Sequence, residues 1–311
     1  MMLAALEQSE PPGRRLVDDD LAARFLPAPT RWLVTATPPK LMRRLMMAAM
    51  DRDGPGLWAT MTCRKRYVTD KVIEALGDID AVVVLGAGLD TLAYRLARQT
   101  RILIFEVDQP VNVERKAKAV RRVLGELPAS VRLVPLDFER DDVLATLTGL
   151  GYRADYRTFF VWEAVTQYLT ADAVHATLES LRPAATGSRL VFTYVRRDFI
   201  DGVNFYGAEQ LYRRFRQRQQ LWRFGFAARG GCGVPGRIRL AAGGAAWARG
   251  DRAALRRADR SRPDRITGGV VGLRRKGLAT ANPDRPDSDT PPRAHPQVSP
   301  ITASYSTRGQ Q

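Results

Sequence analysis

The chain has 311 residues, of which 45% are hydrophobic, and it carries a formal net charge of +16 at pH 7. This length accommodates one large domain or two ordinary ones with a buried core. The sequence contains no apolar run of the roughly 18 residues that a membrane-spanning helix requires. Its two cysteines are too few for a disulfide framework or a metal site, and residues 1–15 lack the pattern of a signal peptide. We therefore expect a soluble, cytoplasmic protein.

Residues 1–80 are predicted to be mainly helical and to form a lid on the substrate side of the protein. Residues 40–50 have the apolar spacing of an amphipathic helix, and residues 58–76 predict a longer helix that carries a basic triplet at 64–66. This triplet is either a solvated helix face or part of a binding site. The three consecutive aspartates at 18–20 are predicted to be a solvated turn or the start of a helix.

A strand, a glycine turn and a helix follow in direct succession. The valine-rich run at 81–85 is typical of a strand that is buried on both faces. Gly86 and Gly88 end this run, and Asp90 opens a helical pattern. Glycines at such a turn let the backbone come close to a ligand, so the segment predicts the start of a nucleotide-binding βαβ unit.

The second strand of this unit ends on the acidic pair Glu106 and Asp108. An acid about twenty residues after the glycines can accept hydrogen bonds from ribose hydroxyls. The glycine pattern is G-x-G-x-x-T, with Thr91 where a dinucleotide fingerprint has its third glycine. S-adenosylmethionine has no pyrophosphate to place on a helix N-terminus, so the shorter pattern favours this cofactor. A nicotinamide or other nucleotide, and a turn without a ligand, stay as alternatives.

Strands and helices continue to alternate as far as residue 195. The further strands are predicted at 131–136, 158–162 and 189–195, and the helices at 111–123, 141–147 and 170–181. Five strands in this alternation predict an α/β fold with an open, mostly parallel, doubly wound sheet. Ligands bind beyond the carboxyl ends of the strands in such sheets. Four of those ends carry a glycine or an acid, at Gly86, Asp108, Asp137 and Glu163.

Several of these stretches resemble the leucine carboxyl methyltransferase-like family of S-adenosylmethionine-dependent methyltransferases, which is common in high-GC bacteria. The matching stretches are RKRYVTD, VVVLGAGLDTLAYRL, FEVDQPVNVERK, VPLDFERDD, WEAVTQYL and, less sharply, EQLYRRFRQRQQLWRFGF. Together they lie within residues 30–226. The resemblance implies a class I methyltransferase (Rossmann-like) fold, in which residues 81–226 form the S-adenosylmethionine-binding domain.

The resemblance also implies roles for particular residues around the cofactor. Gly86 and Gly88 would face its methionine part, and Asp108 would take the ribose hydroxyls. Asp137 and Phe138 would hold the adenine. For Asp137 the alternative is the N-cap of a helix.

On the side of methyl transfer, Glu163 and Tyr168 would border the pocket, with Arg64 near a carboxylate. Glu163 could instead cap the following helix, and Tyr168 is either a pocket wall or a proton donor. The family usually has Arg-Thr-Arg at the basic triplet, whereas this chain has Lys65 in the middle position.

The implied reaction is O-methylation of a small acid or alcohol. A sulfonium is an activated methyl donor, so in-line transfer needs chiefly positioning and desolvation. A carboxylate acceptor needs no general base, whereas an alcohol usually does. The two histidines, His175 and His295, lie in a predicted helix and in the C-terminal tail. A carboxylate acceptor guided by Arg64 is therefore favoured. A nucleotide-dependent oxidoreductase and an inactive family member are the alternatives.

Residues 227–311 form a basic tail with a different composition. The tail holds 16 of the 49 lysines and arginines but only 6 of the 33 acidic residues, and it contains neither glutamate nor phenylalanine. It shows no period of 2 or 3.6, so it would bury too little apolar surface to order itself. A methyltransferase sheet normally closes with two further strands, which would have to lie here. We therefore expect a tail that is disordered or translated out of frame.

Partners are predicted from the same distribution of charge. Because most of the basic excess lies in the tail, we expect no nucleic-acid partner, although a non-catalytic basic binding protein acting through the tail is a rival interpretation. The expected partner is a small-molecule methyl acceptor, with no membrane involved. The oligomeric state is left open.

Overall fold

The computed structural model describes residues 1–36 and 39–227, together with the backbone of two short segments, 240–242 and 268–274. Seven strands form one sheet. They are β1 (Ala81–Leu85), β2 (Leu103–Asp108), β3 (Val131–Pro135), β4 (Thr158–Trp162), β5 (Arg189–Val195), β6 (Leu240–Ala242) and β7 (Gly268–Arg274). The strand order is β3-β2-β1-β4-β5-β7-β6. Strands β1 to β5 pair in parallel, and β7 runs antiparallel to both β5 and β6. The predicted doubly wound α/β sheet is confirmed.

Helices cover both faces of this sheet and build the N-terminal region. They are α1 (Met2–Glu7), α2 (Ala22–Phe25), α3 (Ala28–Ala36), α4 (Pro39–Asp53), α5 (Leu57–Ala75), α6 (Leu92–Ala97), α7 (Pro110–Leu124), α8 (Val143–Thr148), α9 (Ala171–Ser180), α10 (Arg197–Ile200) and α11 (Glu209–Tyr212). Short 3₁₀ turns occur at Pro12–Arg14 and Thr166–Tyr168, and a π-helical turn at Arg213–Arg218. Among the described residues, no helix combines the length and apolar character needed to cross a membrane.

Strand β1, the middle one of the five parallel strands, is buried over its whole length because hydrophobic cores lie on both of its faces. Ala81, Val83 and Leu85 belong to the core that includes α8 and α9. Val82 and Val84 belong to the opposite core, with residues of α5, α6 and α7. This two-sided burial explains why the strand reads as an unbroken apolar run.

The N-terminal helices have a third, smaller core of their own. Leu6, Val17, Leu26 and Trp58 are among its buried members, and methionines of α4 pack against it. The indole Nε1 of Trp58 donates to a carboxylate oxygen of Glu7 at 3.2 Å. The helical character predicted for this region is confirmed, whereas its role as a lid stays a prediction.

Three local predictions need correction. Asp90 does not open its helix: α6 begins at Leu92, whose N–H donates to the Asp90 carboxylate at 2.7 Å. Asp19 is fully buried, so the prediction of a solvated aspartate turn is wrong at that position. The caps of α8 and α9 are Asp142 and Thr170, which rules out the alternatives of Asp137 and Glu163 as caps of these helices.

Strands β6 and β7 lie within the tail, at the positions where two closing strands were required. The rest of the tail, for which we predicted disorder or a shifted reading frame, lies outside the described residues. The boundaries at 80 and 226 likewise stay predictions.

Candidate functional site

A cavity of about 230 Å³ lies at the carboxyl ends of β1 and β4. Its polar lining comprises Thr62, Arg64, Lys65, Asp90 and Glu163. Residues of the N-terminal segment and the glycine turn after β1 complete the wall. The cavity therefore occupies the part of a doubly wound sheet where ligands bind.

The glycine turn needs its two glycines for different reasons. Gly86 has a φ of +70°, and a Cβ at this position would collide with the side chain of Val165. Gly88 has a φ of +47°, but a Cβ there would meet nothing within 4 Å. Gly86 is thus required for packing as well as for its backbone conformation. The space beside Gly88 is open for a ligand.

Asp108, at the end of β2, faces the glycine turn. One carboxylate oxygen accepts the N–H of Gly88 at 2.6 Å. The other accepts the N–H of Gln109 at 2.7 Å and the side-chain amide of Asn112 at 2.8 Å. A carboxylate has about four acceptor positions, so three such bonds leave it able to accept another.

Glu106 does not reach the cavity. It is 2% exposed, and it accepts hydrogen bonds from the Tyr94 hydroxyl at 2.5 Å and from the Lys116 ammonium at 2.8 Å. Burial raises the pKa of Glu106, although both of these donors act in the opposite direction. The structure therefore places this acid beneath the glycine turn rather than beside a ligand.

Two oppositely charged pairs lie side by side in the cavity wall. Arg64 Nε donates to Glu163 Oε1 at 2.8 Å, and the Lys65 ammonium bonds to the Asp90 carboxylate. Burial alone would raise the pKa of Asp90, but the charge and hydrogen bond of Lys65, together with the N–H of Leu92, outweigh burial and hold that pKa well below the usual range. Burial alone would lower the pKa of Lys65, but Asp90 and Glu163 outweigh it and keep that pKa raised. The Lys65–Asp90 pair is therefore ionised at neutral pH.

A residue with a left-handed backbone conformation lies at the end of β4, next to the Arg64–Glu163 pair. Ala164, directly after Glu163, has a φ of +60°, which is uncommon for a residue other than glycine. Its N–H donates to the Thr193 hydroxyl at 2.7 Å. Strained residues of this kind cluster at functional sites.

The remaining predicted residues lie away from the cavity wall, within the described part of the chain. Asp137 accepts the N–H of Glu139 at 3.1 Å. Phe138 is buried, and its ring centroid lies 6.3 Å from that of Trp162. Tyr168 is 40% exposed on its 3₁₀ turn. The structure thus brings together Arg64, Gly86, Asp90 and Glu163 around the cavity and links Gly88 to Asp108, whereas Asp137, Phe138 and Tyr168 do not line it.

Two partners that the site depends on are not predicted from the sequence. Lys116 lies within α7, for which the sequence predicts only a helix, yet its ammonium contacts the glycine turn. Lys65 was noted as a departure from a family pattern, but its pairing with Asp90 was not foreseen. Glu106 did give a signal for Lys116, because an acid inside a buried strand requires a cationic partner.

Comparison with known proteins gives a family and a fold. The family model described as leucine carboxyl methyltransferase matches residues 1–182. A Mycobacterium marinum protein named "Putative S-adenosyl-L-methionine-dependent methyltransferase" is 36% identical over 137 residues, which are 43% of this chain and 45% of that protein. A relative of the same name from Mycobacterium avium is 36% identical over 145 residues, which are 46% of this chain and 44% of the relative. In both alignments the chain spans less than half of the relative's length.

A solved structure shares the overall architecture. It is the crystal structure of a DUF574 family protein from Streptomyces avermitilis, which matches with a TM-score of 0.50 at 14% identity over 74% of this chain and 88% of that protein. At this identity the likeness concerns the fold alone. Together with the strand order and the family match, it confirms the predicted class I methyltransferase (Rossmann-like) sheet.

Proposed function

The chain belongs to the leucine carboxyl methyltransferase family, and from this premise we propose that it binds S-adenosylmethionine and methylates an oxygen of a small acceptor. The cofactor site lies at the carboxyl ends of β1, β2 and β4. A carboxylate acceptor fits better than a hydroxyl, because no histidine lines the cavity within the described residues.

The observation that carries this proposal is the presence of two charge-balanced ion pairs in one cavity beside the glycine turn. The methionine end of the cofactor has one ammonium and one carboxylate group. Arg64 and Lys65 supply cationic donors for the carboxylate, and Glu163 and Asp90 supply acceptors for the ammonium. Charge-assisted hydrogen bonds of this kind are about twice as strong as neutral ones.

The ribose is assigned to Asp108, which retains acceptor capacity at the end of β2. The open side of Gly88 allows a ligand to approach the backbone. Asp137 and Phe138 for the adenine, and Tyr168 as a border of the methyl-transfer pocket, stay part of the proposal as predictions.

When bound, the cofactor supplies an activated methyl group on a sulfonium. The protein's task is then to orient the reactants and to exclude water. Arg64 and Glu163 orient charged groups at the end of β4. Residues Met1, Leu3, Ala4 and Val17 of the N-terminal segment cover the cavity with apolar surface. No proton transfer is required of the chain if the acceptor is a carboxylate.

Calorimetric titration of S-adenosylmethionine into the full chain tests the proposal. We expect saturable binding with an affinity in the micromolar range. Asp108→Asn should weaken it about tenfold, because the loss of one charged acceptor costs about 1.5 kcal/mol. Asp70→Asn is the matched control, since Asp70 is an exposed aspartate paired with Arg66 on α5. Absence of binding by the folded wild-type chain, or equal loss in both variants, would refute the proposal.

A further inference from the structure

We infer that Lys116 is a positioning residue that holds the glycine turn in the form that receives the cofactor, an inference that rests on the proposed function. Its ammonium donates to the carbonyl of Gly88 at 3.0 Å, to the carbonyl of Asp90 at 2.6 Å and to Glu106 Oε1 at 2.8 Å. An ammonium has three N–H groups. All three of them therefore find an acceptor inside the protein.

The buried charge of Lys116 is balanced by Glu106 and lies close to the Tyr94 ring. Lys116 and Glu106 are each only 2% exposed, and the Lys116 ammonium lies 5.4 Å from the centroid of the Tyr94 ring. Tyr94 also donates its hydroxyl hydrogen to the second oxygen of Glu106. A buried ion pair contributes to stability only when its remaining hydrogen-bonding groups are also satisfied, as they are here. The cluster is thus a complete network beneath the turn.

The network fixes two residues that the proposed function uses. Gly88 is held through its N–H by Asp108 and through its carbonyl by Lys116. Asp90 is held through its carbonyl by Lys116 and through its carboxylate by Lys65. One ammonium therefore sets the orientation of two peptide groups, the one that joins Gly88 to Leu89 and the one that joins Asp90 to Thr91.

This fixation matters for binding because a ligand that meets an ordered loop does not have to order it. The cost of ordering flexible segments is subtracted from the affinity, so a preformed turn binds more tightly than a mobile one. Glu106 acts through Lys116 and not on the cofactor. The shape of the turn then depends on α7, a helix outside the cavity.

A purely structural role for the same network makes a different prediction. In that case the affinity for the cofactor would fall with the free energy of unfolding, whichever member of the cluster was changed. A positioning role requires instead that the affinity fall only when Lys116 loses its contacts with the two carbonyls.

The test compares Glu106→Gln with the double variant Glu106→Gln/Lys116→Met. Glu106→Gln keeps an oxygen acceptor and leaves Lys116 bonded to both carbonyls, whereas the double variant removes the buried charges and the carbonyl contacts together. Three quantities are measured: the thermal unfolding midpoint, amide hydrogen exchange of residues 86–91 in the ligand-free chain, and the affinity for S-adenosylhomocysteine.

We expect amide exchange in residues 86–91 to be about tenfold faster in the double variant than in the wild type, because two hydrogen bonds to a charged donor are lost. Exchange in β1 should not change. Affinity should fall about tenfold in the double variant and stay within about threefold in Glu106→Gln, even where the latter unfolds at lower temperature. Equal loss of affinity in both variants would overturn the inference, as would unchanged exchange in the double variant.

Failure of the wild type to bind and failure of the double variant to fold have different consequences. If the wild type does not bind S-adenosylhomocysteine, the proposed function fails, and the exchange measurement still decides whether Lys116 holds the turn. If the double variant does not fold, Lys116→Arg replaces it. A planar guanidinium spreads its N–H groups in a fork and cannot place one nitrogen among three acceptors, so the same loss of protection and affinity is expected.

Discussion

Thr91 donates its hydroxyl hydrogen to the carboxylate of Asp19 with an oxygen–oxygen distance of 2.5 Å, and both side chains are fully buried. Thr91 is the last residue of the glycine pattern, whereas Asp19 belongs to the N-terminal segment that covers the cavity. The other oxygen of Asp19 lies 3.9 Å from Nε of Arg95. The covering segment is therefore anchored directly to the end of the proposed cofactor loop.

This anchor predicts a large effect of Asp19 on stability. In Asp19→Ala, the Thr91 hydroxyl and Arg95 lose a buried partner, and the free energy of unfolding should fall by about 3 kcal/mol. Asp20→Ala is the matched control, because Asp20 forms an exposed pair with Arg98 and such pairs contribute at most about 1 kcal/mol. Urea denaturation of both variants measures the difference. Similar losses in the two would contradict the anchor.

The two glycines of the turn should respond differently to alanine. In Gly86→Ala the new methyl group collides with Val165 at a left-handed backbone position, so the free energy of unfolding should fall by about 3 kcal/mol. Gly88→Ala meets only the backbone cost of about 1 kcal/mol, because the space beside it is open. Thermal unfolding ranks the two variants, and a greater loss in Gly88→Ala would show that the packing of the turn has been misassigned.

Gly88→Ala should nevertheless affect binding more than stability. Its methyl group would occupy the open space that the proposed cofactor approaches. Affinity for S-adenosylmethionine should fall about tenfold, which corresponds to about 1.4 kcal/mol. Calorimetry on the folded variant measures this loss, and unaltered affinity would place the cofactor elsewhere.

The Lys65–Asp90 pair predicts a definite dependence of stability on pH. The pKa of Asp90 is lowered in the folded chain, so its contribution is present above the ordinary carboxyl pKa and is lost as pH falls through the folded value. The pKa of Lys65 is raised, so its contribution is present below the ordinary lysine pKa and is lost as pH rises through the folded value.

The difference in free energy of unfolding between the wild type and Asp90→Asn should therefore form a plateau between about pH 5 and pH 9. On this plateau it should be about 2 kcal/mol, as expected for a half-buried, charge-assisted hydrogen bond. It should shrink below about pH 4 and above about pH 10. Denaturant unfolding at a series of pH values measures the profile. A difference that stays constant across this range would mean that the pair makes no electrostatic contribution.

The middle of the sheet was predictable because β1 and β4 are buried over their whole length and β5 over most of it. The runs at β1, β4 and β5 were found with their observed ends, since an apolar strand stops abruptly where polar residues begin. Helix starts were less well placed. Asp90 and Asp142 are polar residues that accept N–H groups just before α6 and α8, and a helical pattern alone does not separate such residues from the helix itself.

The site was only partly predictable, because its charges are distributed over distant segments. Glu106 and Asp108 look equivalent in the sequence, but one accepts bonds from Tyr94 and Lys116 beneath the turn and the other bonds to Gly88. Asp19 was predicted to be solvated because it lies in a run of three aspartates. Its burial depends on Thr91, which lies 72 positions away in the chain. Such contacts are set by the tertiary fold and not by local pattern.

Arg64 provides the most direct test of the charged cavity wall. Its guanidinium bonds to Glu163 at 2.8 Å, and the two side chains are 22% and 17% exposed. We expect Arg64→Ala to weaken binding of S-adenosylmethionine about 20-fold, because a lost hydrogen bond to a charged group costs about 1.5–3 kcal/mol. Arg66→Ala is the control on the same helix, since Arg66 is exposed and pairs with Asp70 one turn on.

Glu163→Gln separates the two halves of the pair. It keeps an oxygen that can accept from Arg64 but removes the negative charge assigned to the cofactor ammonium. Affinity for S-adenosylmethionine should therefore fall, whereas the affinity for a cofactor analogue that lacks the amino group should not change. If Glu163→Gln weakened both ligands equally, the acid would serve only to hold Arg64 in place, and the ammonium would have to be recognised by Asp90 alone.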